Sequence, residues 1–332
     1  MKRKKVLLTG CTGSGASYLA EFLIANTDFI IEGTTRTHND IHHRNLRKIR
    51  DSIRLHYLDL MDYPTLSRFL DKNRYDIIYN IASIANVRLS FESPSHILNN
   101  NVNIMLNLLE VIRHLKDKDG YNPLIIQCST SEIFGNPSPP HVPSDEQTPV
   151  LPINVYACSK LAQDNLCYIY YLNYGMNIVR TRMYSYLNAR RGDLFATAFA
   201  KQILEVKQGK RKYIETGNLD SIRSIICADE AAEAYFHAIK CKVGEAYNIG
   251  GVEPISVGGV LNKLLEISGV KAEVRQVDHL KRPSDVREQR PIIQKFAHAT
   301  GWRPRRTIDE SIQHFWNEVL EFWGQPEPSI YT

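Results

Sequence analysis

A chain of 332 residues, 43% apolar and 23% charged, can bury a large core as one big domain or two smaller ones, which excludes a disordered or fibrous protein. The net charge of +5 comes from scattered basic clusters at 2–5, Arg44 to Arg54 and 303–306, read as solvated faces rather than a nucleic-acid groove. No apolar run reaches membrane-spanning length, and the basic N-terminus leads into a strand instead of a signal-peptide core.

The chain opens as strand, turn and helix. Val6, Leu7 and Leu8 run into Thr9, Gly10, Cys11, Thr12, Gly13, Ser14 and Gly15, after which Tyr18, Leu19, Phe22 and Leu23 recur at helical spacing up to Asn26. Glycines allow a tight turn and close backbone approach, and the free N–H groups of a helix start attract phosphate. The stretch therefore reads as a dinucleotide cradle, although a purely structural turn also uses glycine. A second strand, Phe29 to Arg36, ends on a base. An acid at that point bonds the free ribose hydroxyl of NAD, whereas an arginine accommodates the extra phosphate of NADP. Arg36, with Thr34 and Thr35 before it, points to NADP, with NAD as second choice; Glu32 is expected on the opposite face.

Residues 37–52 read as a helix or loop over the adenosine side. Ile53 to Leu60 alternates and presents Asp59, which would bind adenine through its carboxylate or the following N–H, or else cap the helix that starts near Pro64. Tyr75 to Ile81 is a strand of parallel-sheet type. Pro94 to Leu115 is a helix with Ile97, Val102, Met105, Leu109 and Ile112 in an apolar stripe. Leu124 to Cys128 is the next buried strand. At its carboxyl end, where open α/β sheets hold ligands, stands Ser129-Thr130-Ser131-Glu132. Asn136 to Pro152 reads as a surface loop or flap. Tyr156 and Lys160 then share one face of a helix that continues to Tyr174. An ammonium near a phenol stabilises the phenolate and lowers its pKa, which makes tyrosine a usable acid or base near neutrality.

Beyond the strand Ile178 to Met183 the βα alternation loosens. A long helix is expected within 186–212, a polar turn from Gly217 to Arg223, and a helix from Ala228 to Lys240 with Asp229 near its N-cap. A short strand from Glu245 to Gly250, a helix from Val257 to Ile267 and a basic loop from Lys281 to Asp285 follow. Last comes an amphipathic helix from Thr307 to Trp323, with Ile308, Ile312, Phe315, Trp316, Val319 and Phe322 facing inward. The expected fold is α/β, a Rossmann-type doubly wound parallel sheet with a smaller C-terminal substrate-binding region. Residues 1–180 would bind NADP, and 181–332 mainly the substrate, with some segments returning to the first domain. Six cysteines without a CxxC pair or zinc spacing fit a reduced, cytoplasmic protein. His42-His43 has no carboxylate at ligand spacing, so no metal site is expected.

The segments TGCTGSGASYLAEFL, LHYLDLMD, YNIASIANVRLSFESP, QCSTSEIFGN, VYACSKL, ARRGDLFATAFAKQI, GNLDSIR, KRPSDV and GWRPRRTIDE span nearly the whole chain. In this order and spacing they resemble the extended short-chain dehydrogenase/reductases of the NAD-dependent epimerase/dehydratase superfamily, specifically the GDP-mannose 4,6-dehydratase group. The C-terminal half also resembles bacterial relatives that act on GDP-manno-heptose. The resemblance implies an NADP-dependent hydro-lyase that converts a GDP-sugar to its 4-keto-6-deoxy form. Tyr156 would take the proton of the 4-hydroxyl, Lys160 would tune it and hold the nicotinamide ribose, Glu132 would remove the C5 proton, and Thr130 would bond the O4 region. Cofactor contacts would come from Gly10, Thr12, Gly13, Ser14, Gly15, Ala16, Arg36, Asp59, Leu60 and Ala82 as well as Tyr156 and Lys160. Substrate contacts would come from Ser90, Ser185, Arg191, Arg223 and Arg282.

The chain departs from the family pattern around the sugar. Ala82-Ser83-Ile84-Ala85 replaces Ala-Ala-Gln-Ser, Ser185 stands for an asparagine, and Asn154-Val155 stands for Ser-Pro; in the turn, Ala16 replaces the third glycine. Two other readings stay open: an NADPH-dependent reductase or epimerase of a nucleotide-linked keto sugar, and a non-catalytic NADP-sensing protein. The resemblance further implies a homodimer or homotetramer, with the helices near 94–115 and 156–174 pairing across subunits, and no nucleic-acid or membrane partner.

Overall fold

The apolar runs expected as strands lie side by side. The computed structural model describes residues 3–37 and 44–324. In it, β1 (Lys5–Leu8), β2 (Ile30–Thr35), β3 (Arg54–Tyr57), β4 (Ile77–Asn80), β5 (Leu124–Thr130) and β6 (Ile178–Met183) form a parallel sheet. The short β7 (Tyr186–Leu187), β8 (Tyr213–Thr216), β9 (Ile222–Ser224) and β10 (Ile226–Cys227) lie outside it, but β11 (Ala246–Ile249) returns to pair with β6. Three further strands, β12 (Pro254–Ser256), β13 (Glu273–Gln276) and β14 (Glu288–Gln289), belong to small sheets with β9 or β8. The main order is β11-β6-β5-β4-β1-β2-β3. Chain direction across the sheet reverses between β1 and β4, and the crevice outside the carboxyl ends of those strands is where such sheets hold ligands.

Ten α-helices complete the described chain: α1 (Ser14–Asn26), α2 (Tyr63–Lys72), α3 (Val87–Glu92), α4 (Pro94–Asp119), α5 (Val155–Tyr174), α6 (Phe195–Lys207), α7 (Ala228–His237), α8 (Val257–Ser268), α9 (Gln294–Thr300) and α10 (Ile308–Trp323). Successive strand residues face opposite ways. Val6, Leu8, Ile77, Tyr79, Ile126 and Val179 pack with α1 and α7, while Leu7, Ile78, Ile125 and Ile178 pack with α2, α4 and α5. Cover on both faces is why these strands are apolar throughout, and each fully buried Leu or Ile is worth roughly 2 kcal/mol. A third cluster, with Leu187, Phe199, Ile203, Val260, Leu264, Ile312 and Phe315, is the core of the C-terminal region.

Helix ends follow local chemistry. The Asn154 side chain caps α5 by accepting from Ala157 N, and Gly175 closes it at φ 59°. Thr307 and Glu310 form a capping box on α10. Buried Asp164 on α5 pairs with Arg180 at 2.8 Å and Arg182 at 3.2 Å on β6, clamping that helix to the sheet.

Asp229 lies near the N-cap of α7 as expected, in the first turn behind Cys227. Three sequence expectations shift. Asp62, not Asp59, caps α2. The polar turn from Gly217 runs directly into β9. The loop 136–152 is not a free flap: Ser144 N donates to Arg290 O at 2.8 Å, and Arg182 NH1 to Glu146 O at 3.0 Å.

Candidate active site

At the end of β1, Gly10 takes φ +63°, and a Cβ there would stand 3.0 Å from the Cα of Ala82. Only glycine fits that approach. Thr9 fixes it: its Oγ1 accepts from Ile81 N and Ala82 N, both at 3.0 Å, and donates to Asn80 Oδ1 at 2.9 Å. Helix α1 then begins at Ser14 with Gly13 as N-cap and no side chain capping its first amides. Free N–H groups beside a close backbone turn suit a pyrophosphate. A Cβ on Gly15 would lie 2.8 Å from the Tyr186 hydroxyl, whereas Ala16 is fully buried and directs its methyl into the core. Thr12 faces Thr35, with their hydroxyls 3.1 Å apart.

Arg36 leaves the end of β2 exposed, its NH1 donating to Asn100 Oδ1 at 3.1 Å. Glu32 faces the other way and is buried against Lys5 (3.0 Å), His56 (2.6 Å) and Tyr75 (2.8 Å). Burial alone would raise its pKa, but these three bonds outweigh it and hold the carboxyl below its ordinary value. Asp59 is exposed and accepts from Met61 N at 2.9 Å, while Leu60 is buried.

Strand β5 delivers the proton-transfer candidates. Thr130 caps the 3-10 turn Ser131–Phe134, its oxygen accepting from Glu132 N at 3.3 Å. Asn154 Nδ2 donates to Glu132 Oε2 at 3.1 Å, and Gln289 Nε2 donates to Oε1 at 2.9 Å. Tyr156 lies half-buried in the first turn of α5. Its pKa is pushed up to about 12, mainly by burial and further by Glu132, against the lowering effect of Arg191 and the Thr130 hydroxyl. This is opposite to the sequence expectation: burial dominates, and Lys160 is engaged with other acceptors. Lys160 Nζ donates to Cys128 O and Gln163 Oε1, both at 2.6 Å. The ammonium is buried among these acceptors, and burial lowers its pKa to about 8.

Gln163 is the hub of a buried amide chain. Its Oε1 also accepts from Gln127 Nε2 at 2.9 Å, and its Nε2 donates to Asn101 O. Gln127 Oε1 accepts from Asn80 at 2.8 Å, and Asn101 Nδ2 donates to Ser159 Oγ at 3.0 Å. The glycine turn, β4, β5 and Lys160 are thereby linked through one network. Periodicity arguments pass over these amides. Their signal is polar side chains in apolar phase: Asn101 within the stripe of α4, and Gln163 one turn beyond Lys160.

The substrate candidates divide. Ser90 is buried in α3 and donates to Val87 O at 2.6 Å. Ser185 donates to Gln289 Oε1 at 3.3 Å, behind Glu132. Arg191 bonds Ala85 O at 2.7 Å and Asp193 at 2.7 Å, and its charge acts on Tyr156. Arg223 is buried, donates to Ile222 O at 2.9 Å and lies 3.7 Å from Asp285, which Arg282 meets at 3.8 Å. The field of Arg282 also reaches Arg223 and Asp193, so the three arginines share one neighbourhood.

His42-His43 falls outside the described residues. Among those described, Cys227, Asp229 and His314 hold ligand-type atoms within 4.8 Å of one another. Asp229, however, takes both arms of Arg306 (3.0 and 2.8 Å), and the Cys227 thiol donates to Ser311 O at 3.4 Å. The cluster reads as a junction between α7 and α10. All six cysteines are free thiols, and no described helix is long and apolar enough to cross a membrane.

Comparison with known proteins follows from this geometry. The sequence profile of the family GDP-mannose 4,6 dehydratase matches residues 7–315. GDP-mannose 4,6 dehydratase 1 of Arabidopsis thaliana is 28% identical over 334 residues, covering 96% of this chain and 90% of that protein. GDP-mannose 4,6-dehydratase of Vibrio cholerae is 32% identical over 229 residues, covering 67% of this chain and 60% of that one. Among solved structures, UDP-glucuronic acid 4-epimerase from Bacillus cereus, in complex with UDP-glucuronic acid and NAD, aligns with a TM-score of 0.83 at 23% identity, covering 96% of this chain and 100% of that one. RMD from Pseudomonas aeruginosa, complexed with NADPH, aligns with a TM-score of 0.80 at 22% identity, covering 96% and 99%. These two structures share the fold. From the matched profile and the sequence relatives, the chain belongs to the GDP-mannose 4,6-dehydratase family.

Proposed function

We propose that this protein is an NADP-dependent hydro-lyase that converts GDP-mannose or GDP-manno-heptose to the 4-keto-6-deoxy sugar. The carrying observation is a second proton-transfer group: the charge of Glu132 acts on the phenol of Tyr156, and a plain reductase needs only Tyr156 and Lys160. Bound NADP would supply reversible hydride exchange with the sugar, held by the residues named next. The remaining work falls to the chain. The turn from Gly10 to Ala16 holds the pyrophosphate, Arg36 the adenosine phosphate, and Asp59, Leu60 and Ala82 flank the adenine and nicotinamide. Lys160 meets two acceptors within the protein, so one of its three N–H groups is open to the ribose. Tyr156 takes the proton of the 4-hydroxyl beside Thr130, with the Arg191 cation favouring the phenolate. The 4-ketone acidifies C5, Glu132 accepts that proton and passes it to the departing C6 hydroxyl, which leaves as water; C5 regains one proton as C6 is reduced, balancing the one taken up by Tyr156. Arg191, Arg223 and Arg282 bind the diphosphate and guanosine, for which guanidinium forks are suited.

On this reading residues 1–180 form the cofactor domain and 181–332 mainly the sugar-nucleotide region, in a cytoplasmic homodimer or homotetramer. Exposed Tyr168, Ile169 and Leu172 on α5 and Leu98 on α4 are the apolar surface that would pair. A second reading, reductase or epimerase, draws on the departures from the family pattern around the sugar, among them Ser185, whose hydroxyl meets Gln289. One experiment separates the two. The protein is incubated with GDP-mannose and with GDP-manno-heptose without added reductant, and the products are followed by mass spectrometry. Loss of one water without net NADPH consumption is expected; if neither sugar loses water with NADP⁺ supplied, dehydration is rejected.

A further inference from the structure

The side chains that hold Glu132 come from two distant parts of the chain. Asn154 stands just before α5, and Gln289 lies on the two-residue strand β14, 157 residues from Glu132. Each gives one N–H to one carboxylate oxygen, at 3.1 and 2.9 Å. Neither amide can turn over. Asn154 Oδ1 is committed to Ala157 N at 2.8 Å as the helix cap, so its NH2 must face Glu132. Gln289 Oε1 accepts the Ser185 hydroxyl at 3.3 Å, so its NH2 also faces Glu132. Both are nearly enclosed, Gln289 at 5% and Asn154 at 9% exposure. Arg223 acts on Glu132 only through space, its hydrogen bond going to Ile222 O at 2.9 Å.

We propose that Asn154 and Gln289 are positioning residues for Glu132, a pair of neutral amides that lock the carboxylate plane while leaving one lone pair on each oxygen directed into the cleft. The proposal rests on the reading of Glu132 as the C5 base. Two amides restrain rotation without placing a full positive charge on the group that must accept a proton, as a bidentate arginine would. Asn154 does a second thing: the side chain that orients the base also caps the helix carrying Tyr156 and Lys160. The two proton-transfer centres, set on opposite sides of the sugar, therefore share one anchor. Asn154 and Ser185 are also positions where the chain departs from the family pattern, and in the structure those departures converge on Glu132, directly from Asn154 and through Gln289 from Ser185.

Isosteric variants test this. Asn154→Asp keeps an oxygen to cap α5, and Gln289→Glu keeps the side-chain length; each replaces a donor to Glu132 with a second carboxylate oxygen. Gln289→Leu removes the donor without adding charge. Since a misplacement of about 1 Å in a reacting group can cost ~100-fold, Gln289→Leu is expected to lower kcat by about 10- to 100-fold with KM within about threefold, and the two acidic variants to lower it further. Solvent deuterium uptake at C5, read by mass spectrometry on whichever of GDP-mannose and GDP-manno-heptose is dehydrated, should fall in step with kcat, while thermal midpoints stay near the parent. Glu132→Gln runs alongside. If Glu132→Gln is inactive while Asn154→Asp and Gln289→Glu keep parental kcat and C5 exchange, the positioning role is wrong and Glu132 keeps its assignment. If Glu132→Gln still exchanges C5 and loses water, or if neither sugar is dehydrated by the parent, the functional reading fails and this proposal with it.

Discussion

Replacing Lys160 with methionine isolates what the buried ammonium costs the fold. Burial takes the Lys160 pKa from its ordinary 10.5 to about 8, opposed only in part by Cys128, Cys167 and Asp164. At about 1.4 kcal/mol per unit, this is a penalty of roughly 3 kcal/mol at neutral pH relative to the unfolded chain. Methionine fills a similar volume without the charge but removes one hydrogen bond each from Cys128 O and from Gln163 Oε1, which still accepts from Gln127, at about 1 kcal/mol apiece. The net expectation is a variant about 1 kcal/mol more stable than the parent near pH 7, with kcat reduced by about 100-fold or more. The sign of the pH dependence follows from linkage. The folded pKa lies below the unfolded one, so between about pH 8 and 10.5 the unfolded chain binds the extra proton. Parental stability from this group therefore rises with pH across that window, and the advantage of Lys160→Met shrinks. Urea unfolding of both proteins, followed by circular dichroism near pH 7 and again near pH 9.5, reads the difference directly. A variant more than about 1 kcal/mol less stable at neutral pH, or a gap that does not change with pH, would refute the reasoning.

Other outcomes follow from named contacts. Arg36→Glu should weaken NADP about tenfold or more while sparing NAD, measured by fluorescence titration; unchanged preference removes Arg36 from the phosphate site. Asp164→Asn leaves Arg180 and Arg182 buried without their counter-charge and should cost about 3 kcal/mol in urea unfolding. Burial would raise the Asp164 pKa, but Arg182 and Arg180 outweigh that and lower it. This stabilisation is present above the unfolded aspartate pKa of about 3.9 and lost as pH falls below it, so the parent and Asp164→Asn should converge in acid. Ile169→Asp with Leu172→Asp should shift the protein to monomer in sedimentation if α5 pairs across subunits; an unchanged mass assigns the contact elsewhere.

The main sheet was readable from sequence because its strands are covered on both faces and so are apolar without interruption, as in Ile77-Ile78-Tyr79. Alternation alone would put Glu32 and Arg36 on the same face; their directions differ because β2 ends at Thr35 and Arg36 lies beyond its pleat. The short strands were not readable. β9 has three residues and β14 two, too few for any periodicity, so Gln289 carried no signal of lying against Glu132. The direction of the Tyr156 shift was missed for a different reason. Spacing put Lys160 on the same helical face, but it carries no information on the burial that raises the phenol pKa or on Cys128 O and Gln163, which hold the ammonium.

The return of β11 to the edge of β6 also bears on how the chain is made. A ribosome releases the first six strands of the sheet with β6 unpaired along one side, and its partner, Ala246–Ile249, emerges more than sixty residues later. Until then the nascent chain carries an open parallel edge, the kind of surface that pairs with neighbouring copies. The sheet closes only once Ile249 has emerged, so a truncation after Met183 should yield an aggregating fragment rather than a stable folded domain.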